Sequence, residues 1–227
     1  MKLTLGVCTV GSFLKLSVYN GERYFNFSKK ILNQEELFFD KLGELAGKAG
    51  GGFGDFGKIC VINGPGRFTG MRISYTFARI YEALSGAELY GASVFDALAF
   101  NLYEKLSIGG RFRNAGVSVV CRAFKDEFYL CRYEIKKNTL RRVSEPLWLK
   151  AGEAAEKLRS FSGTVVGDSE EYGGIYGLSP SAEKAGASVS LIKPENIIKS
   201  ALYFKKRDIK PLYLKPAKYE DRDKKSS

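Results

Sequence analysis

The stretch VINGPGRFTGMRIS, residues 61–74, gathers the groups in this chain best suited to holding an anion. Gly64, Gly66 and Gly70 surround Pro65, Phe68 and Thr69, with Arg67 and Arg72 alongside. A strand that enters a glycine turn and leaves as a helix presents free backbone N–H groups, the usual construction of a phosphate site. The spacing fits neither common version. A Walker A loop needs Gly-Lys after four intervening residues, but the fifth position past Gly64 is Thr69, and no lysine lies between Lys58 and Lys105. The dinucleotide fingerprint needs G-x-G-x-x-G, and here the third glycine arrives one residue late, at Gly70. What remains is a tight turn: Gly64 and Gly66 free to take positive φ, Pro65 stiffening it, and Thr69 as N-cap of the helix. That turn is the preferred reading, and an anion at the helix start, assisted by Arg67 and Arg72, is the alternative.

Few other residues offer chemistry. There is no histidine, which removes the commonest metal ligand and the commonest general base together. Cys8, Cys60, Cys121 and Cys131 lie in apolar strand-like runs and never as CxxC, so buried free thiols are expected. Cys8 as a nucleophile would have no histidine to activate it. Asp168 follows TVVG at a strand end, where it either faces a cleft or caps the next turn; the cap is preferred. Glu35 and Glu36 fall in the first turn of a helix, where the dipole favours acids.

Hydrophobic periodicity gives the elements that would position these groups. Strands are expected over 2–9, 13–19 and 23–27, with Asn20-Gly21 as a hairpin turn. A helix over 34–49, a strand over 58–62, the glycine turn and a helix to 84 follow. A strand at 89–91 and a helix from Ser93 to 103, with Asp96 in a capping box, complete the half. After a break at GGRFRN, strands are expected at 117–121, 127–135 and 140–143, a helix at 151–161, a strand at 164–166 and a helix at 194–206. Residues 210–215 close as an extended segment. The second half thus repeats the first in element order. This implies an α/β, two-lobed actin-like or ribonuclease-H-like (ASKHA) fold, with a duplicated mixed β-sheet and flanking helices. The expected division is a lobe over 1–104, a lobe over 105–214 and a charged, flexible tail over 215–227.

In such a fold a magnesium-dependent site needs a carboxylate at the end of the first strand, and Cys8 stands there instead. The helices are more telling. Ile73, Phe77, Ile80 and Leu84 form one apolar stripe, and Met71, Tyr75, Ala78 and Tyr81 add apolar surface on other sides. The 34–49 helix likewise carries Leu37 and Phe39 beside its stripe of Phe38, Leu42, Leu45 and Ala49. One stripe suffices for a surface helix, so the excess implies deeper burial or a partner protein.

The net charge of +11 is uneven, with ten basic against four acidic residues from Lys199 onward. A basic end invites nucleic-acid binding, although the final EDRDKKSS mixes both signs as a solubilising tail does. Lys15, Asn20, Glu22 and Arg23 interrupt any signal-peptide-like start, and no run is long enough to span a bilayer. A cytoplasmic protein is expected.

GPGRFTGMRIS resembles the GPGSFTGLRIG signature of the TsaB family of bacterial tRNA threonylcarbamoyladenosine synthesis. GAELYGASVFDALA, KDEFYLCRYE and IKPLYLKPA resemble further stretches of that family, so the likeness spans most of the chain. There are departures. Cys8, Thr9, Val10 and Gly11 stand where the family has D-T-S/A-T, and Asn33-Gln34-Glu35-Glu36-Leu37 where it has HSExL. The run from Arg122 to Tyr129 replaces DARxGEVY, and Phe77 and Tyr81 are bulkier than usual. The resemblance implies a non-catalytic subunit that pairs through two N-lobe helices with a TsaD-type catalytic subunit holding the metal. A TsaE-type ATPase would join them, tRNA would be met indirectly, ATP or ADP would bind only through the complex, and the isolated chain could homodimerise. The interface residues it implies are Phe39, Ala46, Ser74, Ala78 and Tyr81. Two rivals stand beside it: an active actin-like ATPase or kinase with Thr9, Gly66 and Asp168 at a nucleotide, and a stand-alone RNA-binding module using the basic C-terminal region.

Overall fold

A computed structural model describes residues 2–109, 114–180 and 182–215 of the chain. The first sheet contains β1 (Leu3–Cys8), β2 (Phe13–Tyr19), β3 (Tyr24–Lys30), β4 (Phe56–Ile62) and β5 (Glu88–Ala92), in the order β3-β2-β1-β4-β5. The three N-terminal strands pair antiparallel, and β4 and β5 run parallel to β1. Asn20 and Gly21 make the expected hairpin. Gly21 has φ 95°, and the Asn20 side-chain oxygen accepts from the N–H groups of Glu22 and Arg23 at 3.1 and 3.0 Å. Pairing along the full length of β2 carries β3 to Lys30, three residues beyond the expected end.

The second sheet contains β6 (Ala115–Phe124), β7 (Glu127–Lys136), β8 (Thr139–Arg142), β9 (Leu147–Lys150), β10 (Thr164–Gly167) and β11 (Glu183–Lys184). Its order is β11-β10-β6-β7-β8, with β8 and β9 pairing different halves of β7. β9 and β11 were not expected: the first is four residues beside Pro146, the second two charged residues, both too short to carry a period. The two sheets share one topology, with β9 an addition in the second, which is the duplicated actin-like architecture.

The helices are α1 (Gln34–Lys48), α2 (Phe68–Ser85), α3 (Val94–Ile108), α4 (Ala151–Arg159) and α5 (Pro194–Phe204). They form layers with the sheets. α1 and α2 cover one face of the first sheet, α3 and α5 fill the space between the sheets, and α4 covers the far face of the second. Strand alternation dictates this. Leu3, Leu5 and Val7 point toward α1 and α2, while Cys8, Cys60 and Ile62 point toward the shared middle layer. Gly6 lets α5 lie directly on β1, since a Cβ there would stand 2.8 Å from Ile198.

The middle layer shows how the two halves meet. α5 belongs to the second half of the sequence but packs under the first sheet, and α3 follows the first sheet but packs on the second. Each lobe is therefore completed by the other half's last helix. The second half also departs from strict repetition, because a single-turn segment, Ile175–Leu178, stands where the first half has α2. The tail expected over 215–227 lies outside the described residues from 216 onward, as do residues 110–113 of the GGRFRN break. No described helix is long and apolar enough to cross a membrane.

Asp96 ties the layers together. Ser93 caps α3, and the Asp96 carboxylate accepts from the Ser93 N–H and hydroxyl at 2.8 and 2.7 Å, the expected capping box. It also takes Arg142 from β8 at 2.9 Å, Tyr133 from β7 at 2.8 Å and Lys206 beyond α5 at 2.9 Å. Burial opposes its charge, but the two cations prevail and hold the carboxyl below the ordinary aspartate range. Its stabilisation is thus present above about pH 4 and lost as pH falls further. Asp96→Asn leaves Arg142 and Lys206 uncompensated, with an expected loss of about 3 kcal/mol read as a lower urea midpoint.

Candidate interaction groove and interlobe cleft

The glycine turn is held by backbone on every side. Gly64 has φ 114°, and its carbonyl accepts from the Val94 N–H at 2.7 Å. The Asn63 carbonyl accepts from Leu212 N–H at 2.7 Å, so the closing extended segment runs across the turn. Gly66 does not take the positive φ expected of it. It is glycine because a Cβ would collide with the carbonyl of Val10 in the β1–β2 turn. Gly70 is constrained likewise by the Thr9 carbonyl, and the Thr9 hydroxyl donates to the Gly70 carbonyl at 2.6 Å. Thr69 is not the N-cap. Arg67 holds that position, with its N–H donated to Val10 O at 2.7 Å, and Thr69 lies inside the first turn. Arg72 lies over the ring of Phe68, 5.3 Å from its centroid.

This seat sets the rotation of α2. Gly70, Met71, Ser74 and Ala78 face the sheet, and the bulky stripe Ile73, Phe77, Ile80 and Leu84 turns toward the outside. Ala46, Ser74 and Ala78, expected at an interface, are fully buried, because small residues are what lets α1 and α2 lie close on the sheet. Phe39 and Tyr81 do reach the outer face. There they join a groove of about 630 Å³ between α1 and α2, closed at one end by Phe53. Phe38, Phe39, Phe77 and Tyr81 contact one another ring to ring, with Phe38 and Phe77 5.0 Å apart. The Tyr81 hydroxyl is tied to the backbone of Phe53 and Phe56, so the ring is fixed. Leu84 is 84% exposed, Phe39 58% and Ile80 55%. Phe53, Ile80 and Leu84 were not named as interface residues, although the stripe containing two of them was visible.

A second concavity, about 450 Å³, lies between the sheets at the β1–β2 and β6–β7 turns. Cys8 and Cys121 line it, and burial pushes the Cys8 thiol up to about 12, so while buried it is held as the unreactive thiol. Asp168 lines it, and its carboxyl also accepts from the Glu171 backbone N–H of the following turn, so it both faces the cleft and caps the turn. Burial, then the charge of Glu171, pushes its carboxyl up to about 7, and Oδ1 has no hydrogen-bond partner among the described residues. Of the rival nucleotide set, Gly66 and Asp168 line this cleft together, whereas the Thr9 hydroxyl is turned to Gly70. Among the described residues no group of three His, Cys, Asp or Glu could hold a metal ion. In the basic C-terminal region, among the described residues, Lys199 pairs with Glu104, Lys206 with Asp96, Arg207 with Glu88 and Lys215 with Glu127.

Two expectations follow from this geometry. Gly70→Ala drives a methyl into the Thr9 carbonyl and should cost about 3 kcal/mol in urea unfolding. Asp168 binds its proton more tightly folded than unfolded, so the protein loses stability as pH rises from about 4 to about 7. Asp168→Asn should remove that slope, raising stability at pH 8 by about 2–4 kcal/mol and changing it little at pH 4.

The comparisons agree with this architecture. Residues 35–169, more than half of the chain, match the family model described as TsaD, tRNA N6-adenosine threonylcarbamoyltransferase. The chain is similar to the solved structure of YeaZ from Pseudomonas aeruginosa, with a TM-score of 0.71 at 18% identity, covering 94% of this chain and 100% of that one. A second structure, of an uncharacterized protein with similarity to peptidase YeaZ from Pseudomonas aeruginosa, gives 0.72 at 19% identity, covering 95% and 100%. No curated protein sequence matches. The chain belongs to the family described as TsaD, tRNA N6-adenosine threonylcarbamoyltransferase, and it shares its fold with the YeaZ structures.

Proposed function

We propose that the protein is a non-catalytic scaffold subunit in threonylcarbamoyladenosine modification of tRNA, and that its α1–α2 groove receives a TsaD-type catalytic subunit. Family membership ties the chain to that modification. The observation that carries the scaffold role is the groove: aromatic rings locked against one another, bordered by exposed Leu84, Phe39 and Ile80. Contiguous apolar surface of this kind, centred on fixed aromatic anchors, is what protein interfaces bury. The cleft supports the same reading from the other side, since Cys8 is a high-pKa buried thiol and Thr9 is committed to a structural hydrogen bond. A TsaE-type ATPase and tRNA would be reached through the catalytic partner, as would any ATP or ADP. Alone, two copies could cover each other's groove.

The test mixes the purified chain with the TsaD-type protein of the same genome and measures mass by size exclusion with light scattering. A one-to-one complex is expected. Ile80→Asp should weaken it about 100-fold, the effect of losing a central apolar anchor, while leaving the melting temperature unchanged. Separate peaks at high micromolar concentration, or a complex indifferent to Ile80→Asp and Phe39→Asp, would refute the reading.

A further inference from the structure

The β1–β2 turn is joined to the second sheet by two consecutive acids, Glu170 and Glu171, which follow β10. The Glu171 carboxylate accepts from both the Ser12 N–H and the Ser12 hydroxyl, at 2.7 Å each. Gly11 permits this approach, since a Cβ there would collide with the same carboxylate. One residue earlier, Glu170 pairs with Lys15, whose ammonium also donates to the Ile192 carbonyl at 2.7 Å. Lys15 is only 3% exposed, so its charge depends on Glu170 for compensation. These contacts join residues more than 150 positions apart, across the mouth of the cleft lined by Cys8 and Cys121.

We propose that Glu170 and Glu171 form a latch that holds the interlobe cleft shut, with the Glu171 carboxylate acting as the resident anion of the β1–β2 turn. A turn that offers an N–H and a hydroxyl to one point attracts an oxyanion. Here the chain supplies its own, so the Ser12 N–H and hydroxyl are already occupied by a carboxylate. The bond is bidentate and charge-assisted, and its neighbour anchors a buried ammonium. Together they clamp the β1–β2 turn onto the β10 end, at the side of the cleft away from the shared α3–α5 layer that joins the sheets. With the latch closed, the turn stays seated over the cleft. With it open, water reaches Cys8 and Cys121 first, because they line the cleft, whereas Cys60 and Cys131 do not.

The test is cysteine alkylation by N-ethylmaleimide at pH 8, followed by peptide mass spectrometry, on the full chain and on Glu170→Gln/Glu171→Gln. The latch predicts that Cys8 and Cys121 are labelled about 10-fold faster in the variant or more, while Cys60 and Cys131 keep their original rates. Should the double variant not fold, Glu171→Gln alone gives the same pattern with a smaller rise. Unchanged labelling of all four thiols would overturn the proposal. So would an equal rise at all four, which would show that the acids contribute only to overall stability.

Discussion

The structure depends on how closely the start of α2 can approach the β1–β2 turn. Gly66 lies on the Val10 carbonyl and Gly70 on the Thr9 carbonyl, and neither position has room for a Cβ. The Arg67 N–H and the Thr9 hydroxyl convert that proximity into two hydrogen bonds of opposite direction, one into the turn and one out of it. Once the first turn of the helix is seated, its rotation is settled, since positions 70, 74 and 78 lie one above another. Small residues occupy all three, so the helix lies low on the sheet. The larger residues of the same helix are left on the opposite side. The groove between α1 and α2 is thus a by-product of the glycine turn: the motif that looks like a phosphate loop works as an aiming device for an apolar face.

A second constraint acts between the halves. α3 and α5 share one layer and each closes the other half's sheet, so the central core cannot form until both halves are present. A buried carboxylate serves as the fastening. Asp96 caps its own helix while holding Arg142 from the second sheet and Lys206 from the segment after α5. The arrangement spends much of the chain's positive charge internally. Lys199, Arg207 and Lys215, nearer the surface, also pair with acids of other elements and tether the described part of the C-terminal region. The cleft shows the same economy, with the donors of its leading turn met by a carboxylate from the opposite lobe.

Much of this was legible beforehand. Strand and helix identities followed from periodicity, the Asn20-Gly21 turn and the Ser93–Asp96 capping box were read correctly, and the repeated element order led to the duplicated fold. The stripe from Ile73 to Leu84 was visible as excess apolar surface. Which face of α2 meets the sheet was not, because Ile73 and Phe77 satisfy a core period as well as Met71, Ser74 and Ala78 do. Thr69 was taken for the N-cap on residue preference, and lost to Arg67 because a backbone bond to Val10 from a distant turn fixed the entry of the chain. β9 and β11 were missed since pairing partners, not their own residues, make them strands.

By itself the sequence determined the element order, the missing histidine, the failed nucleotide loops and the excess apolar surface of α2. These are local properties, set by side-chain volume, backbone freedom and period. The tertiary structure decided which lobe each inner helix completes, which face of α2 is outward, and which acids neutralise which cations. Those depend on contacts between residues as far apart as Ser12 and Glu171, where the free energy comes from mutual burial and charge pairing that no local stretch encodes.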